Sequence, residues 1–259
     1  MQKLKSFLLA LVSLAMFSCQ ESPRVATLWM IGDSTMTDYA NYGEDYMKER
    51  YPQTGWGQAL PDFLVPDSLA GIGIFDLDSI RVVNRARGGR SSRSFFEEGR
   101  WREIYEQLKP GDFVIIQFGH NDASESKGER YVSLPGYKEF LRLYVNQTRQ
   151  KGATPILITS VCRNYPWEND TLGNSHGDYP QAMREVASEM NVHLIDLTGT
   201  SARHFTQMGR EYVSVNYFMN LHPGRFEAYP GGLTDNTHFQ PEGAMAVALL
   251  VFEGLKSLE

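Results

Sequence analysis

The sequence has few cysteines, no long apolar run and no block of one charge, and each absence removes a class of protein. Two cysteines in 259 residues, Cys19 and Cys162, cannot build a disulfide framework. No internal hydrophobic stretch reaches the ~20 residues that a membrane-spanning helix needs. The 23 glycines and 12 prolines are scattered, and there is no repeat or low-complexity tract, which excludes collagen, coiled coil and wholesale disorder. Basic residues are outnumbered, 25 against 31 acidic; a net charge of −6 argues against nucleic acid as a partner. Gly71-Ile72-Gly73 lacks a third glycine and no Walker sequence occurs, so a nucleotide-binding reading fails. What remains is a globular chain long enough for one domain with a substantial core.

The N-terminus reads as an address. Lys3 and Lys5 precede an apolar stretch over residues 7–17 that is too short to span a membrane and has the length of a signal peptide. Its end, Met16-Phe17-Ser18-Cys19, resembles a bacterial lipoprotein signal, in which the cysteine becomes the lipidated first residue. Residues 1–18 are therefore expected to be a signal peptide and 19–24 a short lipidated tether, with any membrane attachment supplied by lipid on Cys19. A plain secretory signal with an incidental cysteine is the other reading. Both place the chain outside the cytoplasm of a bacterial cell, in the periplasm or at the surface.

Residues 25–259 read as one α/β domain, because short apolar runs alternate with helical patterns and no linker interrupts them. Strands are expected at 25–31, 79–84, 113–118, 156–161 and 192–197. Ser94 and Glu97 read as a capping box that opens a helix with Trp101, Ile104 and Leu108 at helical spacing. Tyr137, Phe140, Leu141 and Tyr144 mark another helix, residues 180–190 a third, and Pro241 opens the last. Residues 198–234 are aromatic and fit no element, and a loop of that length is expected to line a binding site.

Three loops after three successive expected strands carry polar groups: Gly32-Asp33-Ser34-Thr35, Arg87-Gly88-Gly89-Arg90 and Gly119-His120-Asn121-Asp122. In open parallel sheets ligands bind at the carboxyl ends of strands, where strand order reverses. A fourth segment, Asp235-Asn236-Thr237-His238, precedes the last helix. Together these suffice for acyl transfer. Ser34 supplies a nucleophile, His238 a general base, and Asp235 a carboxylate that orients the imidazole. Asn121 brings an amide donor, and the turn at Gly89 lets a backbone N–H approach a reacting oxygen. Taken singly each is ordinary: a serine after Gly-Asp is usually a turn, and Asp-x-x-His occurs in metal sites. No further ligands accompany it apart from His120-Asn121-Asp122, so no metal and no cofactor are expected.

At these residues the sequence resembles a known family. GDST, the glycine of GGRS, GHND and DNTH are similar to the sequence blocks of the SGNH (GDSL-type) hydrolases. More narrowly, GDSTMTD, RARGGRSSRSFFEEGRW, VIIQFGHND, the PWE at 166–168 and DNTHFQPEGA resemble the rhamnogalacturonan acetylesterase group. The resemblance implies a three-layer α/β/α sandwich around a flavodoxin-like five-stranded parallel sheet. It also implies a serine esterase that removes acetyl groups from plant cell-wall polysaccharide. It assigns Ser34, Asp235 and His238 to a catalytic triad, and the backbone N–H groups of Ser34 and Gly89 with Asn121 to an oxyanion hole. Residues 198–234 do not align to the pattern.

Arg90, beside Gly89 with Arg87 and Arg93, is a candidate contact for a uronate carboxylate, with a solvated or salt-bridged role as the default. Trp56 and Trp167 are candidate sugar-stacking platforms, with core packing as the other reading. Asp33 and Asp122 are expected to hold loops, and His120 to be a packed histidine. The competing functions are a deacetylase of xylan or another glycan with the same triad, and a surface glycan-binding lipoprotein without turnover.

Overall fold

The computed structural model describes residues 24–43 and 45–259. The expected signal peptide, Cys19 and all of the expected tether but Arg24 lie outside the described residues. The strands among the described residues are β1 (Val25–Gly32), β2 (Ser79–Asn84), β3 (Phe113–Gln117), β4 (Thr154–Ile158), β5 (Trp167–Glu168), β6 (Thr171–Leu172) and β7 (His193–Ile195). Five form one parallel sheet in the order β2-β1-β3-β4-β7, and β5 with β6 makes a small antiparallel hairpin beside it.

The central strands are apolar throughout because both faces are covered. Successive side chains alternate between two cores. Leu28, Met30, Ile115, Ile156 and Ile158 face one side, packing with Val247, Val251 and Leu255 of the last helix, Pro241–Lys256. Trp29, Ile31, Val114, Ile116 and Leu157 face the other, against Phe95, Trp101, Tyr144 and Val186. Fully burying a side chain of this size stabilises the fold by about 1.5–3 kcal/mol relative to exposure. The result is the expected three-layer α/β/α sandwich around a five-stranded parallel sheet. From β1 the chain passes to β2 on one side and then to β3 on the other, so the loops after these strands meet where strand order reverses.

Several boundaries differ from expectation. The capping box belongs to Ser91 and Ser94, which bond reciprocally at the start of the helix Ser92–Glu97, one turn earlier than expected. That helix does not run on to Leu108: Gly99, at φ 75°, breaks it before a second short helix, Arg100–Tyr105. Residues 198–234 are not one long loop. Asp196 caps a helix spanning Leu197–Met208, its side chain accepting from the Gly199 N–H, and Phe205 and Tyr217 are core. Only the far part of the segment, at Tyr229 and Leu233, reaches the cleft described next.

Candidate active site

The loop after β1 is shaped by its own polar groups. The fully buried Asp33 carboxylate accepts from the Thr35 N–H at 3.0 Å and hydroxyl at 2.8 Å, which closes the turn that carries Ser34. Burial pushes the Asp33 carboxyl up to about 6, against the hydrogen bonds from Thr35 that favour its charge. The Ser34 carbonyl accepts from the Tyr39 hydroxyl at 3.0 Å. Beneath the turn, Trp56 Nε1 donates to Gln117 Oε1 at 2.8 Å and its backbone N–H to the Thr35 carbonyl at 2.9 Å. Trp56 is fully buried, so the sugar-platform reading is wrong: its ring braces the Ser34 loop and offers no face to a ligand.

The loop before the last helix holds an acid–imidazole pair. Asp235 Oδ2 lies 2.6 Å from His238 Nδ1, and Oδ1 accepts from the N–H groups of Thr237 at 2.7 Å and His238 at 3.1 Å. Burial alone would raise this carboxyl; the bonds and charge of His238, with the backbone donors, hold it below its ordinary value. With Asp235 charged, the ring carries its proton on Nδ1 and leaves Nε2 free as an acceptor. The loop is pinned from outside: Asn220 Oδ1 accepts from the Asp235 N–H at 3.1 Å, and Asn164 Nδ2 donates to Asn236 Oδ1 at 2.9 Å.

The donors sit on the loops after β2 and β3. Gly89 adopts φ 80°, a left-handed conformation that costs a side chain-bearing residue energy. Asn121 Nδ2 donates to the Arg90 carbonyl at 2.9 Å. Asp122, buried and pushed up to about 7 by that burial, accepts from the Ser92 N–H at 2.9 Å and the Gly119 N–H at 3.0 Å. Asp33 and Asp122 thus hold loops. Next to Asn121, His120 Nδ1 lies 2.9 Å from His176 Nε2, and burial keeps both imidazoles neutral, His176 down to about 3.

Ser34, Gly89, Asn121, Asp235 and His238 all line one cleft of about 520 Å³. The structure does not bring the other candidates there. Arg90 turns away, its Nε donating to both Glu98 oxygens at 3.1 and 3.0 Å and its Nη1 to the Gly88 carbonyl at 2.7 Å, so the default salt-bridged role applies. Trp167 sits in the β5–β6 hairpin, half-buried against the core, its Nε1 donating to Asn164 Oδ1 at 3.0 Å. Among the described residues, the cations that do line the cleft are Arg50, Lys127, Arg130 and Arg163, against the single carboxylate of Asp235. Sequence reasoning missed all four, since they come from three separate segments, with Lys127 and Arg130 on one loop, and sit in no motif. The expectation that no G-x-S-x-G elbow is present, which set aside a lipase-type reading, is wrong as to the sequence: Gly173 to Gly177 has that pattern. That stretch follows the small hairpin, not a sheet strand, and Ser175 lies outside the cleft lining.

A serine, an imidazole paired with a carboxylate and converging amide donors, set on the carboxyl edge of a parallel sheet, define an ester hydrolase of the α/β/α class. The chain belongs to the GDSL-like Lipase/Acylhydrolase family, whose profile matches residues 30–245. It is 40% identical over 232 residues to the probable rhamnogalacturonan acetylesterase YesY of Bacillus subtilis, covering 89% of this chain and 93% of that one. It is 36% identical over 231 residues to the rhamnogalacturonan acetylesterase RhgT of the same organism, covering 89% and 90%. Among solved structures, the YxiM protein of B. subtilis superposes with a TM-score of 0.71 at 27% identity, over 89% of this chain and 56% of that longer one. The acetyl-xylooligosaccharide esterase Axe2 of Geobacillus shares the fold, with a TM-score of 0.58 at 22% identity over 89% and 94%.

Proposed function

We propose that this chain is a serine esterase that removes acetyl groups from rhamnogalacturonan. Ser34 Oγ attacks the acetyl carbonyl while His238 Nε2 takes its proton, and Asp235 stabilises the imidazolium that forms. The oxyanion is met by the N–H groups of Ser34 and Gly89 and by Asn121 Nδ2. His238 returns the proton to the departing sugar hydroxyl. Water, deprotonated by the same imidazole, then attacks the acetyl-serine, and His238 returns that proton to Ser34 Oγ as acetate leaves. The observation that carries the reading is the convergence of Ser34, Asn121 and the Asp235–His238 pair, 2.6 Å apart, in one cleft. The substrate rests on likeness to YesY and RhgT and on the excess of cations in that cleft. Acetate release from a panel of acetylated rhamnogalacturonan, homogalacturonan and xylan tests it. Rhamnogalacturonan is expected to be deacetylated fastest, and equal or faster release from xylan overturns the substrate.

The N-terminal sequence adds an address: export across the inner membrane, followed by lipidation of Cys19. Labelled palmitate fed to the expressing bacterium is expected to enter the wild-type chain and not Cys19→Ala. Equal labelling, or none in either, contradicts the anchor.

A further inference from the structure

We infer that Arg130 is the residue by which the cleft reads a carboxylate on the sugar beside the scissile ester. The inference rests on the acetylated-polysaccharide reading above and adds which side chain selects a uronate.

The four cations of the cleft are not equivalent. Arg163 uses Nη2 on the His120 carbonyl at 3.0 Å, and Arg50 lies 5.1 Å from the centre of the Tyr42 ring. Lys127 stands exposed at the rim as a single point of charge. Arg130 differs in place, because it alone of the four lies against the Gly89 turn. A Cβ built on Gly89 would lie 3.4 Å from Arg130 Cζ and 3.5 Å from each of Nη1 and Nη2, so the guanidinium packs flat against Gly89. Its ion pair runs through Nε, to Glu129 at 3.4 Å, a carboxylate that is itself 68% exposed. Among the described residues neither Nη1 nor Nη2 has a hydrogen-bond partner, so the fork of donors that matches a carboxylate is open.

Position gives this fork its meaning. Gly89 offers its N–H to the oxyanion in the mechanism above, so a carboxylate seated on Arg130 belongs to the sugar that carries the acetyl group or to the unit joined to it. Arg130 and Gly89 also border a second depression of about 380 Å³, where the Arg90 guanidinium is already held by Glu98. Glu97, Glu98 and Glu129 line that side as well, and their charge disfavours a second carboxylate there. A backbone that alternates acidic and neutral sugars fits the pair of depressions: the uronate lies over Arg130, and its neutral neighbour lies beyond Gly89.

The test compares acetate release from an acetylated rhamnogalacturonan oligosaccharide and from the same oligosaccharide with its carboxyl groups methyl-esterified. For wild type the kcat/KM ratio, acidic over esterified, is expected to be about ten- to hundredfold, the worth of a hydrogen bond to a charged group. Arg130→Gln is expected to bring the ratio near one, chiefly by raising KM on the acidic form. Arg130→Lys should restore part of it, since a point charge lacks the fork. Each ratio is taken on one protein, so a loss of folded enzyme cancels. A wild-type ratio near one, or an unchanged ratio in Arg130→Gln, overturns the inference and leaves the substrate reading standing. Hydrolysis of an aryl acetate with no acetate from either oligosaccharide overturns the substrate reading and this inference with it.

Discussion

Asn121 Nδ2 donates to the carbonyl of Arg90 across 2.9 Å, and this bond, beside those from Ser92 to Asp122, joins the loop after β3 to the loop after β2. The two loops carry the candidate oxyanion donors Asn121 and Gly89, so these bonds fix their spacing before substrate arrives. Preorganised donors of this kind act without reorganisation when charge develops. Replacing Asn121 with alanine removes a donor and one of these ties together. Steady-state kinetics on an aryl acetate should show kcat lower by roughly 10²–10³ with little change in KM. A change confined to KM would place Asn121 in substrate binding instead.

The Ser34 loop should be sensitive to Gly57, which does no chemistry. A Cβ there would lie 2.4 Å from the Met36 carbonyl and 2.7 Å from Asn84 Nδ2, which itself donates to that carbonyl. Overpacking of this sort costs about 1–3 kcal/mol, and here the backbone that must give way is two residues from Ser34. Gly57→Ala is expected to lower the urea midpoint and, in the fraction still folded, kcat. Wild-type stability would show that the loop can yield freely.

The buried His120–His176 pair sets a dependence on acid. Free histidine has an ordinary value near 6.5, and burial holds His176 down to about 3 and His120 well below ordinary. As pH falls below 6.5 the unfolded chain gains protons that the folded chain refuses, so each imidazole weakens the fold in that window. Asp33 and Asp122, raised to about 6 and about 7, act in the opposite sense, because the folded chain takes up their protons first. These terms oppose each other in the wild type but are shared with His176→Gln. Relative to wild type, that variant should therefore gain roughly 1–2 kcal/mol between pH 6.5 and pH 5. Urea unfolding at the two pH values measures it, and a difference independent of pH contradicts a neutral His176.

Legibility in the sequence followed the range of the interaction. The sheet was readable because β1, β3 and β4 are apolar runs bounded by turn residues, and the Asp235–His238 contact because both partners lie on one loop. The helix Leu197–Met208 was not. It begins within two residues of β7, and its Thr, Gly and Ser content leaves Leu197, Thr198, Ser201 and Phe205 to mark a thin buried stripe with two apolar members. Trp56 follows a glycine in a segment with weak helical pattern, and nothing local says that Gln117, 61 positions on, receives its N–H. The arginines near Gly89 misled for a related reason. Glu98 captures Arg90 within the same segment, whereas Arg50, Arg130 and Arg163 reach the cleft only through the fold.

Ser34 carries the central claim, and acetate release by Ser34→Ala tests it most directly. Purified wild type and Ser34→Ala would be compared on acetylated rhamnogalacturonan and on an aryl acetate, with folding checked by thermal melting. Loss of the nucleophile should cut kcat by at least about 10⁴ on both substrates at an unchanged melting temperature, the scale seen when a triad serine is removed. Turnover by Ser34→Ala within tenfold of wild type, from protein free of other esterases, would contradict a serine mechanism at this site.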